Sequence, residues 1–340
     1  MAQSLPPLPD WEQVSTNIIR VLGGNPSKFT LQGTNTYLLG RGADRLLIDT
    51  GQGEKHWLDT LSSVLRDQNA NVSTCLLTHW HHDHVAGVKD LEKMSPDVKV
   101  YKNKPTLNPD GLLDSDRVHD ISDGQHFSVS TPEGAFEVEA VHTPGHAKDH
   151  MCFLVRSSPD PNEIGALFTA DNVLGHGTAV FEDLATYLES LDLMRRRVGE
   201  EAANQTRKAY PGHGAVIDDV TGKIDEYIGH RRMREEEALN VLRYGSVKRP
   251  GTKEGVVHDS ITTTGESDSE AETISVGKEV VSGKEWESME MVKIIYRHYP
   301  ENLYQPAEYG LLMVLEKLRK DGKVVKTDAG KWRVREMATL

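Results

Sequence analysis

The apolar run CLLT, residues 75–78, ends directly in HWHHDH, residues 79–84. A run of that kind is buried, so the histidines and the aspartate behind it lie at the end of an interior strand, not in a polar surface loop. In an extended segment alternate side chains share a face, which projects His79 and His81 to one point. Asp83 and His84 fall where the chain turns into a helix and reach a second point nearby, while Trp80 and His82 face elsewhere. Imidazole nitrogens with a carboxylate form a ligand set suited to zinc, or to iron or manganese in a more oxygen-rich site.

The same placement recurs along the chain. VHTPGHAKDH presents His146 after a Pro-Gly turn that ends a strand, LFTAD ends another strand in Asp171, and AYPGHG carries His213 in a glycine-rich loop. Each of these alone reads as a turn, a cap or a surface histidine. Together, each at the end of a strand, they call for one shared metal site. His150, just past the His146 loop, is either a substrate contact or a packing residue. The remaining histidines show no partner pattern.

The 340 residues leave room for one large domain and a smaller one. In residues 1–245 strand-like runs alternate with helical patterns, which predicts an α/β fold. NTYLLG and RLLIDTG read as a hairpin turning at Gly40, Arg41 and Gly42; STCLLTH, VKVYKN, FEVEAVHTPG, MCFLVRS and GALFTAD read as further strands. HWLDTLSSVLRD, DLATYLESLDLMRRRV and KIDEYIGHRRMREEEALNVLRYG carry helical spacing. Residues 246–287, rich in Ser, Thr, Gly and charge, bury too little apolar surface to offset ordering entropy and read as a flexible linker. In residues 288–340, two helical stretches precede a small hairpin turning at Ala329 and Gly330, the pattern of a winged-helix-like domain. Its ten basic residues barely exceed its seven acidic ones, a weak footprint for nucleic acid.

Composition narrows the function classes. A formal charge of −13 disfavours general attraction to phosphate backbones. No stretch approaches the roughly 20 apolar residues of a membrane helix, and MAQSLPPLPDWEQ has neither the basic head nor the apolar core of a secretory signal. Cys75 and Cys152 sit among apolar neighbours, as buried free thiols do, so the expected location is cytoplasmic.

The ordered set His79, His81, Asp83, His84, His146, Asp171 and His213 resembles the H-x-H-x-D-H motif and later ligands of the metallo-β-lactamase superfamily, over roughly residues 15–240. That resemblance implies an αββα sandwich with two metal ions at one edge of its sheets, zinc or alternatively manganese. It implies one ion on His79, His81 and His146, the other on Asp83, His84 and His213, and Asp171 bridging them. Asp49 in LIDTG matches an aspartate that supports the metal loop. The ions would acidify a water, and Asp83 would orient it and handle its proton.

IRVLGGNPSKFTLQGTNTYLLG, GHGTAVFEDLATYLESL, YPGHGAVIDD and the C-terminal segment resemble one branch of that superfamily, the lactamase-β-like proteins. The branch includes fungal thioesterases of the atrochrysone carboxyl ACP thioesterase type, which release products from non-reducing polyketide synthases, and an animal mitochondrial endoribonuclease. Only residues 147–170 separate His146 from Asp171, too few for the inserted domain of the larger nucleases. The expected activity is therefore hydrolysis of a polyketide thioester on an acyl-carrier protein domain, and the alternative is cleavage of single-stranded RNA. A metal-free scaffold is disfavoured because every ligand position is filled.

Overall fold

Along the strands that precede the histidine run, side chains divide by parity. Tyr37, Leu39, Leu46, Ile48 and Leu76 join one buried cluster, while Leu38, Leu47, Cys75 and Leu77 join another. A sheet with apolar residues on both faces has to be covered on both. The computed structural model, which describes residues 5–202, 205–247 and 284–335, shows what covers it.

The first sheet runs in sequence order: β1 (Trp11–Ser15), β2 (Ile18–Leu22), β3 (Asn35–Leu39), β4 (Asp44–Ile48), β5 (Asn71–Leu77), β6 (Lys99–Lys102) and β7 (Val118–Asp120). Its outer face packs on α1 (Lys55–Asp67), α2 (His82–Val85) and α3 (Val88–Met94) through Trp57, Leu61, Val64, Val85 and Leu91. The second sheet is formed by β8 (His126–Thr131), β9 (Gly134–His142), β10 (Met151–Ser157), β11 (Leu167–Ala170) and β12 (Ala209–Pro211), in the order β12-β11-β10-β9-β8. Phe136, Val138, Ala140, Met151, Phe153, Val155 and Phe168 of this sheet meet the inward side chains of the first. Two helices complete this part of the chain. In α4 (Leu184–Ala202) the residues at helical spacing, Tyr187, Leu191, Met194 and Val198, are buried, and α5 (Val220–Tyr244) follows. The result is the αββα layering that the motifs implied.

The hairpin at Gly40 forms as expected, with Tyr37 opposite Ile48 and Leu39 opposite Leu46. Strands β1, β2, β7 and β8 and helix α3 were not anticipated. In β2 the charged Arg20 interrupts the apolar run, yet it is 1% exposed and pairs with Glu12 at 2.7 Å.

The described residues form two compact units, 5–228 and 229–335, and the division falls within α5. The second unit contains α6 (Ser288–Ile295), α7 (Tyr304–Lys320), β13 (Val324–Lys326) and β14 (Trp332–Val334), the expected two helices and hairpin. Its core takes Met291, Val292, Leu311, Leu315, Leu318 and Val324. Trp286, which composition assigns to the linker, exchanges both backbone hydrogen bonds with Trp332 at 2.8 Å and belongs to this small fold. Residues 248–283 of the expected linker lie outside the described residues. Among the described residues, no helix is long and apolar enough to cross a membrane.

One ion pair lies wholly inside the first unit. The Lys102 ammonium, at the end of β6, donates to the carbonyls of Asn103, Lys104 and Leu107 and sits 2.5 Å from Asp149, both side chains being 0% exposed. Burial disfavours the charged form of each, lowering the Lys102 pKa and raising that of Asp149, and the partner opposes the shift in both cases. Removing one partner strands the other as an unpaired buried charge. Lys102→Met should therefore cost about 3–5 kcal/mol in urea unfolding. The double variant Lys102→Met/Asp149→Asn should lose less than the sum of the two single ones.

Candidate metal centre

The side chains singled out in the sequence gather where strands of both sheets end. β5 leads into Thr78 and His79, and α2 begins at His82, so His81 stands at its N-terminus and Asp83 and His84 in its single turn. β9 leads into the loop that carries His146, β11 into Asp171 and β12 into His213. His79, His84, His146 and His213 are buried, while His81 and Asp83 keep partial exposure.

Their reactive atoms form two groups. In the first, His81 Nδ1 lies 2.9 Å from His79 Nε2 and 3.0 Å from His146 Nε2, and those two nitrogens are 3.3 Å apart. In the second, Asp83 Oδ2 lies 3.3 Å from both His84 Nε2 and His213 Nε2. Asp171 reaches both groups: its Oδ1 is 3.4 Å from His84 Nε2, and its Oδ2 is 3.2 Å from His213 Nε2 and 3.6 Å from His146 Nε2.

The far nitrogens set the tautomers. The Thr78 hydroxyl donates to Asp49 Oδ2 at 2.9 Å, so towards His79 Nδ1 it can only accept, at 2.9 Å. His146 Nδ1 donates to the Val180 carbonyl at 2.8 Å, and His84 Nδ1 to Asp49 Oδ2 at 2.7 Å. Each ring that spends its proton outwards turns a lone pair inwards. Burial, reinforced by the neighbouring imidazoles, holds His79 well below the ordinary histidine range and His81 at about 4, which favours the neutral rings that can act as ligands.

Ring nitrogens from several histidines that converge beside carboxylates are the donor set of a cation site. Tetrahedral ligands about 2.0–2.1 Å from zinc stand roughly 3.3 Å apart, close to the spacings here. His84 Nε2 and Asp171 Oδ1 also face each other without any hydrogen-bond partner among the described residues. Gly212 leaves the room: a Cβ there would fall 2.3 Å from Asp171 Oδ1 and 3.1 Å from His84 Cε1. The His/Asp cluster can therefore hold metal.

The carboxylates draw in positive charge. Burial works against ionising Asp171, but His213 and His84 beside it hold its carboxyl well below the usual range; Asp83 is lowered by His84 and His213 in the same way. Conversely, burial would lower His213, yet Asp171 and Asp83 push it up to about 9, and Asp83, Asp171 and Asp49 raise His84. A divalent ion seated among these groups would compete with protons for the two rings.

Further residues brace the centre. Asn35, the first residue of β3, donates through Nδ2 to the carbonyls of Pro211 and Gly214 at 2.9 and 2.8 Å, and the Tyr37 hydroxyl donates to Pro211 at 2.8 Å, gripping the His213 loop from both sides. His150 is fully buried, its Nε2 accepts the Asp171 backbone N–H at 3.3 Å, and it is not among the residues that line the cleft. Sequence reasoning missed Asn35 and Tyr37. The available signal was a polar amide opening a strand whose five residues are all buried.

A cleft of about 360 Å³ opens onto His81, Asp83, His146, Asp171 and His213. Phe29, Leu31, Leu174, Ala179 and Val180 line it, together with the exposed Lys28 and His176. Phe29 and Val180 are 75% and 64% exposed.

Comparison with known proteins agrees with this architecture. The family described as the metallo-beta-lactamase superfamily matches residues 29–213, and the beta-lactamase associated winged helix domain matches residues 288–332. The chain is 39% identical over 336 residues to the atrochrysone carboxyl ACP thioesterase dmxR1 of Cryptosporiopsis sp. (strain 8999), covering 97% of this chain and 88% of that one. It is 40% identical over 323 residues to the lactamase-like protein adaB of Aspergillus niger, covering 94% and 86%. In fold it is similar to a beta-lactamase domain protein from Burkholderia ambifaria, with a TM-score of 0.66 at 17% identity over 98% of this chain and 96% of that one. By the family match over residues 29–213 and these identities, the chain belongs to the metallo-beta-lactamase superfamily.

Proposed function

We propose that the protein is a cytoplasmic two-metal thioesterase that releases a polyketide acyl chain from the acyl-carrier protein domain of a polyketide synthase. The observation that carries this reading is the position of the His/Asp cluster on the floor of a cleft whose walls are apolar and whose rim carries Lys28. Apolar walls suit an acyl or aromatic chain, and a lysine at the rim suits an anionic group on substrate or carrier. A relative bearing the name of a carrier-protein thioesterase supports the choice of substrate.

In this reading His79, His81 and His146 hold one zinc ion, Asp83, His84 and His213 hold the other, and Asp171 lies between them. When bound, the ions supply Lewis acidity, lowering the pKa of a water from ~15.7 towards ~7 and withdrawing charge from the thioester carbonyl. Asp83, whose side chain is 21% exposed, offers a carboxylate face to the cleft. It orients the attacking water, accepts its proton and returns that proton to the departing sulfur. The C–S bond breaks as the new C–O bond forms, giving a carboxylic acid and the free thiol of the carrier. A thiolate leaves readily, so no nucleophilic serine is required.

The test is release of acid and thiol from an aromatic acyl thioester on a carrier protein. Release should stop on chelation, return with zinc, and fall about 10²–10⁴-fold in Asp83→Asn. No metal-dependent release, together with cleavage of single-stranded RNA that Asp83→Ala abolishes, would replace this reading with a nuclease.

The cleft walls make a separate expectation. Phe29→Ala should raise KM for the aromatic acyl thioester about 10-fold, the equivalent of losing ~1.5 kcal/mol of apolar contact, and leave an acetyl thioester unaffected. Steady-state kinetics on the two substrates decide it.

A further inference from the structure

Of the two carboxylates in the cluster, Asp83 is the less enclosed, at 21% side-chain exposure against 12% for Asp171. Rotation of a carboxylate about its terminal bond is soft. Some group therefore has to set the plane in which Asp83 presents Oδ2 to His84 and His213. The structure supplies it from the segment GGNPSKFTLQGTN, whose Asn25 and Thr34 take no part in the chemistry above.

Thr34, immediately before β3, is 0% exposed, and its hydroxyl donates to Asp83 Oδ2 at 3.1 Å, the same oxygen that faces both imidazoles. The hydroxyl is not free to turn away, because its lone pair accepts Asn25 Nδ2 at 3.0 Å. The Asn25 amide is fixed in turn, since its Oδ1 accepts the Thr34 backbone N–H at 2.8 Å and its Nδ2 also reaches Gln52 Oε1 at 3.1 Å. A flipped amide would set two donors against one another. Glycines on either side keep the space clear: a Cβ on Gly23 would come within 2.8 Å of Asn25 Oδ1, and one on Gly33 within 3.2 Å of it.

The geometry points to Thr34 as the positioning residue of Asp83, oriented through a one-way relay from Asn25. Its hydroxyl holds Oδ2 in line with His84 and His213, so its removal loosens the cation held by that group and slows the step that Asp83 performs, without touching the His79, His81 and His146 group. This role rests on the reading of Asp83 as a cation ligand.

Zinc titration of the metal-free full-length chain against a chromogenic chelator tests both. The wild type should bind two equivalents, and fewer would remove the two-cation reading itself. With two bound by the wild type, Thr34→Val should bind one equivalent normally and the other about 10- to 100-fold more weakly. Thr34→Ser, which keeps the hydroxyl, should bind like the wild type. On the thioester, Thr34→Val should lower kcat by a comparable factor at unchanged KM. Wild-type affinity for both ions in Thr34→Val would overturn the assignment, as would a loss in Thr34→Ser as large as that in Thr34→Val. If Thr34→Val does not fold, Thr34→Ala takes its place in the same comparison.

Discussion

A single buried carboxylate organises the candidate centre. Asp49, in a left-handed backbone conformation with φ +60, accepts the Thr78 N–H at Oδ1, and the Thr78 hydroxyl and His84 Nδ1 at Oδ2. Through Thr78 it sets the tautomer of His79, and through Nδ1 it sets that of His84. One residue on β4's end therefore orients a ring in each of the two groups. Asp49 is 2% exposed, so these bonds act without competition from water. An outward-pointing proton on each ring leaves an inward-pointing lone pair, and the arrangement of the other imidazoles and carboxylates follows from that.

The sandwich serves this arrangement mechanically. The parallel pairs β4–β5 and β11–β12 bring neighbouring strand ends to the same edge, so Asp49 lies beside Thr78, and Asp171 beside His213. The two sheets meet through large side chains, including Tyr37 of the first, whose ring meets that of Phe168 in the second edge-on at 5.3 Å. Close packing of this kind tolerates little displacement, and the groups at the strand ends inherit that rigidity. Lys102 and Asp149 add a polar anchor one residue before His150, itself bonded to Asp171.

Much of this could be read in the residues. The strand-like runs of β3, β4 and β5 announced the strands of an α/β fold, and the histidines and aspartates at strand ends announced where chemistry would gather. The structure does bring all of those side chains together. What escaped the sequence depends on partners far away in the chain. Nothing in NTYLL shows that Asn35 grips a loop 176 residues later, or that Thr34 meets an aspartate 49 positions on. The missed strand β2 carries a buried arginine whose countercharge lies on β1, and β7 is only three residues long, too short for any alternation to register.

The cleft combines two kinds of residue under opposite constraints. Its floor is locked: Gly212 admits no side chain, and His79, His84 and His146 each have the far nitrogen held by a hydrogen bond. Its rim is nearly free: Phe29 and Val180 project into solvent, so replacing them disturbs little of the packing that keeps the fold intact. In such a molecule the choice of substrate and the means of cleaving it can diverge independently. Relatives could exchange one substrate for another by changing a loop tip, with the floor of the cleft passed on unaltered.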